Sequence, residues 1–301
     1  MRMCLQLALA ATLAACGSSS DATPEAPVGP PEAGPIDEGW VGPRVEEARA
    51  RTARTEAGQL MWAAVEAHGG LTRWLSKGTV SFTFDYRPLG DGARRNTRND
   101  IDVWRARARQ EELGDGADAT LGWDGEVAWI TPDADAFPSP ARFWATTPYY
   151  FIGIPFVLAD PGTVYERLDD ADLDGVTHQL VKVSYEDDTG DSPDDYYIVY
   201  LHPETHRVSA IRYVVAYPGF FPEGGHSPEK LMRYEDLREV DGLWLAHRFR
   251  THRFDVETGE IGDLVTEVSA GDYRLGQTWP ASHFTAPEDA ETSTEIEADP
   301  R

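Results

Sequence analysis

The sequence predicts a mainly β protein of the α+β class: an antiparallel meander entered through one helix and crossed by a short helical segment. Three observations predict it. Apolar and polar residues alternate with period two in several stretches between Val80 and Leu275, the pattern of half-buried strands. Asp-Gly recurs at Asp91-Gly92, Asp115-Gly116, Asp124-Gly125, Asp174-Gly175 and Asp241-Gly242, and this dipeptide favours the positive backbone angles of tight hairpins. A single stretch of helical periodicity precedes them all.

The elements follow in chain order. Arg2 and the apolar run Leu5 to Leu13 form a targeting signal, too short to remain as a membrane span. The run ends in Leu13-Ala14-Ala15-Cys16, which resembles the lipobox of bacterial lipoproteins. The resemblance implies cleavage before Cys16 and acylation of its thiol and amine. At least two acyl chains, each contributing about 0.8 kcal/mol per buried methylene, make a stable anchor. Gly17 follows; in the enteric sorting rule Asp at that place means inner-membrane retention, so its absence implies the outer membrane. The chain's two cysteines are Cys4 and Cys16. The first leaves with the signal and the second is acylated, which excludes a disulfide, a cysteine nucleophile and a thiolate metal site in the mature domain.

Gly17 to Pro43 is Ser, Asp, Pro, Gly, Ala and Glu with almost nothing apolar, a composition that cannot bury a core and reads as a tether. The expected organisation is a signal peptide at 1–15, the lipidated Cys and flexible tether at 16–50, one folded domain at 51–286 and an acidic disordered tail at 287–301. A second apolar segment of about 20 residues is absent from the sequence. The helix is expected after Thr55 as N-cap, with Leu60, Met61, Ala64, Val65 and His68 on its apolar face and Gly69-Gly70 ending it. Strands are expected at Val80 to Tyr86, around Val127 and Trp129, at Val181 to Tyr185, Tyr196 to Leu201, Val208 to Tyr217, Leu243 to Phe254 and Gly262 to Leu275. Ala141 to Ala159 interrupts the meander with Phe143, Trp144, Tyr149, Tyr150, Phe151, Ile154, Phe156 and Leu158 among its apolar residues, and Pro148 and Pro155 within it predict one or two short helical turns lying across the sheet. Such a run is either core or the lining of a ligand cavity. The cavity reading is preferred because the aromatics gather beside two prolines in one segment.

Five pieces, "AHGG" with the following "RW", "WDGEVAW", "PYYFIGIPFVLADPGTVYE", "GDSPDDYYIVYLHPETHRV" and "YEDLREVDGLWLAHRF", occur in an order similar to that of a family of secreted bacterial proteins of unknown function. More distantly it resembles the LolA/LolB-like periplasmic lipoprotein-carrier fold. The resemblance spans Glu56 to Tyr273. Ala246 stands where such proteins often have Pro, and His202 where they have the Asp of a turn. The resemblance implies an antiparallel half-open β-barrel, closed by an N-terminal helix and a short helical lid over an apolar cavity.

Other constellations read as ordinary structure. His202 and His206 flank Pro203, which puts them in a β-turn and not on the helix that a zinc pair four apart would need. Gly190-Asp191-Ser192 matches the nucleophile block of one esterase family, but Ser192 precedes Pro193 within a β-meander and no late Asp-x-x-His follows, so it reads as a loop serine. Glu186, Asp187, Asp188, Asp191, Asp194 and Asp195 could supply oxygen ligands to calcium, but not in EF-hand order, and a solvated acidic hairpin is preferred. With 27 basic against 52 acidic residues and a net charge of −25, nucleic acid is excluded as a partner.

The sequence therefore leads to an outer-membrane lipoprotein facing the periplasm that binds a hydrophobic ligand, a lipid or an acyl group. Phe82, Phe84, Trp144, Tyr149, Tyr150, Phe151, Ile154, Phe156 and Leu158 are expected to line its cavity. No catalytic residue, cofactor or metal is implied, and the membrane is a partner through Cys16. The alternatives are an envelope structural or protein-interaction lipoprotein with a filled core, and a calcium-dependent hydrolase using the acidic loop.

Overall fold

The computed structural model describes residues 32–186, 189–190, 192 and 194–293; the signal segment and Cys16 lie outside them. Among the described residues three helices come first: α1 (Glu38–Thr52), α2 (Glu56–Ala67) and α3 (Leu71–Lys77). Five strands follow, β1 (Thr79–Pro88), β2 (Arg95–Asp102), β3 (Arg107–Glu112), β4 (Thr120–Trp123) and β5 (Ala128–Thr131). Helix α4 (Ala141–Gly153) and a 3-10 turn at Phe156–Ala159 lead to β6 (Thr163–Leu173), β7 (Val176–Tyr185), β8 (Tyr197–Leu201), β9 (Val208–Tyr213), β10 (Lys230–Val240), β11 (Leu243–Phe254), β12 (Ile261–Leu275) and β13 (Glu291–Ser293).

The thirteen strands of the described residues form one antiparallel sheet in the order β13-β5-β4-β3-β2-β1-β12-β11-β10-β9-β8-β7-β6. It is two meanders, β1 to β5 and β6 to β12, joined where β12 returns to pair with β1. The sheet is open, with β13 and β6 as its edges, and the expected antiparallel half-open architecture is the one observed. The five Asp-Gly pairs all fall between consecutive strands. Asp174-Gly175 and Asp241-Gly242 have positive φ at both residues, the two-residue hairpin geometry that suits twisted strands.

Thr55 caps α2 as expected, accepting a hydrogen bond from the Gly58 N–H at 3.0 Å. Gly69, at φ +116°, ends that helix where a Cβ would collide with the Gly242 carbonyl. The folded part begins earlier than the expected boundary at Arg51. Helix α1 buries Val41, Ala48 and Thr52, and Ala33 is fully buried and bridged to Trp279. Its mean hydropathy is low, so nothing in the sequence marks it as a core helix. Two arginines dock it: Arg44 reaches the Trp104 carbonyl at 3.1 Å and Asp160 at 3.0 Å, and Arg51 reaches the Ala159 carbonyl. At the other end Glu291–Ser293, inside the expected tail, pairs with β5.

The central segment is also more regular than expected. Pro148 does not break α4 but lies within it. A helical proline leaves the carbonyl four residues earlier without its N–H donor. Here that carbonyl is Trp144, and the buried Gln110 amide of β3 donates to it at 2.8 Å and to the Ala145 carbonyl at 2.8 Å. The helix tolerates the proline because a side chain from the sheet replaces the missing donor. Helix α4 ends at Gly153, and Pro155 follows a cis peptide bond.

One large core fills the concave side of the sheet, between it and the helices. Phe82, Phe84, Leu121, Trp144, Ile152, Phe156, Leu158 and Phe249 belong to it. A smaller cluster, including Leu180, Ile198, Tyr200 and Leu231, occupies the other face, as the period-two alternation with Val181, Tyr197 and Val199 requires.

Candidate functional site

Helix α4 has two apolar faces. Ala141, Trp144, Ala145, Pro148 and Ile152 are buried, with Trp144 against Phe84 and Tyr86 of β1. Phe143, Thr146, Thr147 and Tyr150, three to four residues apart and so on one helix face, instead border a cavity of about 290 Å³. Across it stand Tyr185 from the end of β7, Tyr197 from β8 and Tyr213 from β9, with Val214, Val215 and Tyr217 just beyond. Tyr149, Phe151, Asp160, Trp123, Arg142, Ser192 and Asp195 complete much of the wall.

Of the nine residues expected to line a cavity, Tyr149, Tyr150 and Phe151 do so. Phe82, Phe84, Trp144, Ile154, Phe156 and Leu158 are in the core. Phe156 is 1 % exposed and stacks on Trp74 with ring centres 4.8 Å apart. Ring Tyr149 also stacks on Trp74, at 6.3 Å. Phe82 and Phe84 point inward from β1 toward Tyr273, Phe249 and Trp144. The tyrosines of the opposite wall were not among the expected residues. They come together only through strand register: Tyr197 pairs with Tyr213 and Val183 with Tyr197. The one sequence signal was Tyr185 at the end of an alternating strand, on the same face as Val181 and Val183.

The rings form a continuous wall. Tyr197 stacks on Tyr150 at 6.1 Å and on Tyr213 at 6.4 Å, meets Tyr185 edge-on at 6.5 Å, and Phe151 meets Tyr213 edge-on at 5.4 Å. Tyr185 donates to the Tyr150 hydroxyl at 3.4 Å, and Tyr234 anchors α4 from below, donating to the Phe151 carbonyl at 2.9 Å. Burial raises the Tyr149, Tyr185 and Tyr197 hydroxyls well above the ordinary phenol range, so all three stay neutral. Burial also pushes the Asp195 carboxyl up to about 6, against the opposing effect of the Ala216 N–H that it accepts at 2.6 Å. Arg142 lies 3.7 Å over the Trp123 ring and reaches Thr146 Oγ1 at 3.4 Å. The lining is aromatic with a few polar groups converging on it, the usual make-up of a small-molecule site.

The remaining sequence motifs fall as follows. His202 and His206 flank a turn, and His202 Nδ1 accepts from the Glu204 and Thr205 N–H groups. Ser192 lies at the cavity edge. Asp187, Asp188 and Asp191 of the acidic loop are outside the described residues; among those described, no group of three or more His, Cys, Asp or Glu could hold a metal ion. No described helix is long and apolar enough to cross a membrane.

No family model matches the chain, and no curated protein does. Solved structures do. A LolA superfamily protein from Nitrosomonas europaea is 12% identical with a TM-score of 0.47, the match covering 77% of this chain and 98% of that one. A DUF1329 family protein from Desulfovibrio piger is 11% identical, TM-score 0.47, over 76% and 97%. The lipoprotein LppX of Mycobacterium tuberculosis is 8% identical, TM-score 0.24, over 72% and 95%.

Proposed function

We propose that this chain is an acyl-anchored envelope protein, held at the outer membrane and facing the periplasm, which binds a hydrophobic ligand and performs no catalysis of its own. The observation that supports the reading is the cavity between α4 and β7–β9, walled by Tyr150, Phe151, Tyr185, Tyr197 and Tyr213. Its volume of about 290 Å³ sits at the lower edge of the ~300–1,000 Å³ found for ligand pockets. It suits one short acyl segment or ring system better than a whole diacyl lipid. Cys16, in Leu13-Ala14-Ala15-Cys16, supports the anchor.

The packing of Phe82, Phe84, Trp144, Ile154, Phe156 and Leu158 into the core favours a second reading, an envelope structural or protein-interaction lipoprotein. Uptake of an uncharged fluorescent acyl probe by the full chain decides between the two. Binding that Phe151→Ala weakens supports the first reading. No uptake at any accessible concentration favours the second.

A further inference from the structure

The cavity's charge and ring chemistry say more about the ligand than its apolarity does. Three near-parallel tyrosine rings, Tyr150, Tyr197 and Tyr213, stand in a row along the cavity, with Tyr185 edge-on to the middle one. The face of an aromatic ring is electronegative and attracts cations, ammonium and quaternary ammonium groups above all. Beside this wall is the Asp195 carboxylate. Among the described residues its hydrogen bond comes from the Ala216 N–H, and no ion pair neutralises it. The second carboxylate in the lining, Asp160, is already matched by Arg44. The cation in the lining, Arg142, spends its guanidinium on the Trp123 face and on Thr146. What remains is an aromatic wall with one carboxylate that has no ion pair among the described residues, in a chain whose net charge of −25 draws cations toward it.

We propose that the cavity between α4 and β7–β9 selects amphiphiles with an ammonium or quaternary ammonium head, the head seated between Asp195 and the faces of Tyr197 and its neighbours and the apolar part running toward Phe151. This rests on the reading of the cavity as a hydrophobic-ligand site. Burial raises the Asp195 pKa in the empty cavity, as expected for a carboxylate that awaits a counter-charge. Small apolar ligands without a charge fit the same space but leave Asp195 desolvated and unmatched.

The test is calorimetric titration of the full chain, carrying Cys16→Ala to prevent acylation, with octyltrimethylammonium, 1-octanol and octanoate. The cation is expected to bind about tenfold tighter than 1-octanol, a difference of about 1.4 kcal/mol, and octanoate more weakly than either. Asp195→Asn should remove most of that preference, weakening the cation while 1-octanol, which no longer desolvates an unmatched carboxylate, binds at least as well as before. Asp263→Asn, which removes one exposed charge outside the cavity, should leave all three affinities as they were. Octanoate binding as well as the cation, or equal losses from Asp195→Asn and Asp263→Asn, overturns the head-group assignment. If 1-octanol binds without a cation preference, that assignment alone falls. If none of the three binds, the hydrophobic-ligand reading falls with it.

Discussion

Pro148 and Gln110 supply a quantitative test of why α4 exists. Gln110→Met keeps the length and apolar stem of the side chain and removes the amide that donates to the Trp144 and Ala145 carbonyls, each at 2.8 Å. Gln110 is fully buried, so water does not readily replace it. Leaving a buried polar group without a partner costs about 1–3 kcal/mol. Only the Trp144 carbonyl is left bare, because the Tyr149 N–H of the helix serves Ala145, so the expected loss is roughly 1–3 kcal/mol. Urea unfolding followed by circular dichroism measures it. The reasoning also predicts the partner substitution. Pro148→Ala restores a backbone N–H able to reach the Trp144 carbonyl, so in the Gln110→Met background it should recover about 1 kcal/mol or more. In the wild-type background it should gain little, because Gln110 already occupies that acceptor. A Gln110→Met variant within about 0.5 kcal/mol of wild type, or a double variant whose effects simply add, would refute the account of the helical proline.

The other predictions are shorter. His68 is buried and neutral, its ring bonded to the Trp244 carbonyl and accepting from the Val208 N–H, and burial lowers its pKa from 6.5 to about 4. The unfolded chain therefore binds the proton first. Stability should be fully present above pH 6.5 and fall as pH drops toward about 4, by roughly 3 kcal/mol, and His68→Gln should flatten that part of the profile; an unchanged slope rejects the assignment. Phe156→Ala should cost about 3–5 kcal/mol, since the ring stacks on Trp74 in the core, and the unfolding midpoint checks this. Phe151→Ala, at the cavity wall, should cost clearly less. Cys16→Ala should release the protein from membranes, and continued partition into the detergent phase with no acyl label on the wild type would dismiss the anchor.

Much of the fold was legible because it follows from local chemistry. Alternation located β1, β7, β8 and β11, and the five Asp-Gly pairs marked the turns β1–β2, β3–β4, β4–β5, β6–β7 and β10–β11. Two of the strands that escaped notice, β2 and β3, have a polar inward face. In β2, Thr97 and Asn99 point inward with Ile101 and bond each other; in β3, Gln110 points inward beside Ala108. Period-two hydrophobicity does not register a face that is satisfied by hydrogen bonds. Helix α1 escaped for a related reason: it is fixed by arginines reaching main-chain carbonyls, interactions that leave no apolar stripe.

The candidate site was half legible, and α4 shows why. Taken as one run, its aromatics posed a choice between core and cavity. On a continuous helix the choice dissolves, because residues three and four apart share a face. Trp144, Ala145 and Ile152 turn to the core, and Phe143, Thr147 and Tyr150 to the cavity. Expecting Pro148 to break the helix removed the phase needed to separate the two faces. That phase depends on Gln110, nearly forty positions earlier in the sequence and in a strand without an apolar signature. The far wall has the same origin. Tyr185, Tyr197 and Tyr213 are each ordinary strand residues, and only the pairing of β7, β8 and β9 sets their rings side by side. The site is thus made of long-range register and one helical phase, and both are fixed by contacts between segments far apart in the chain.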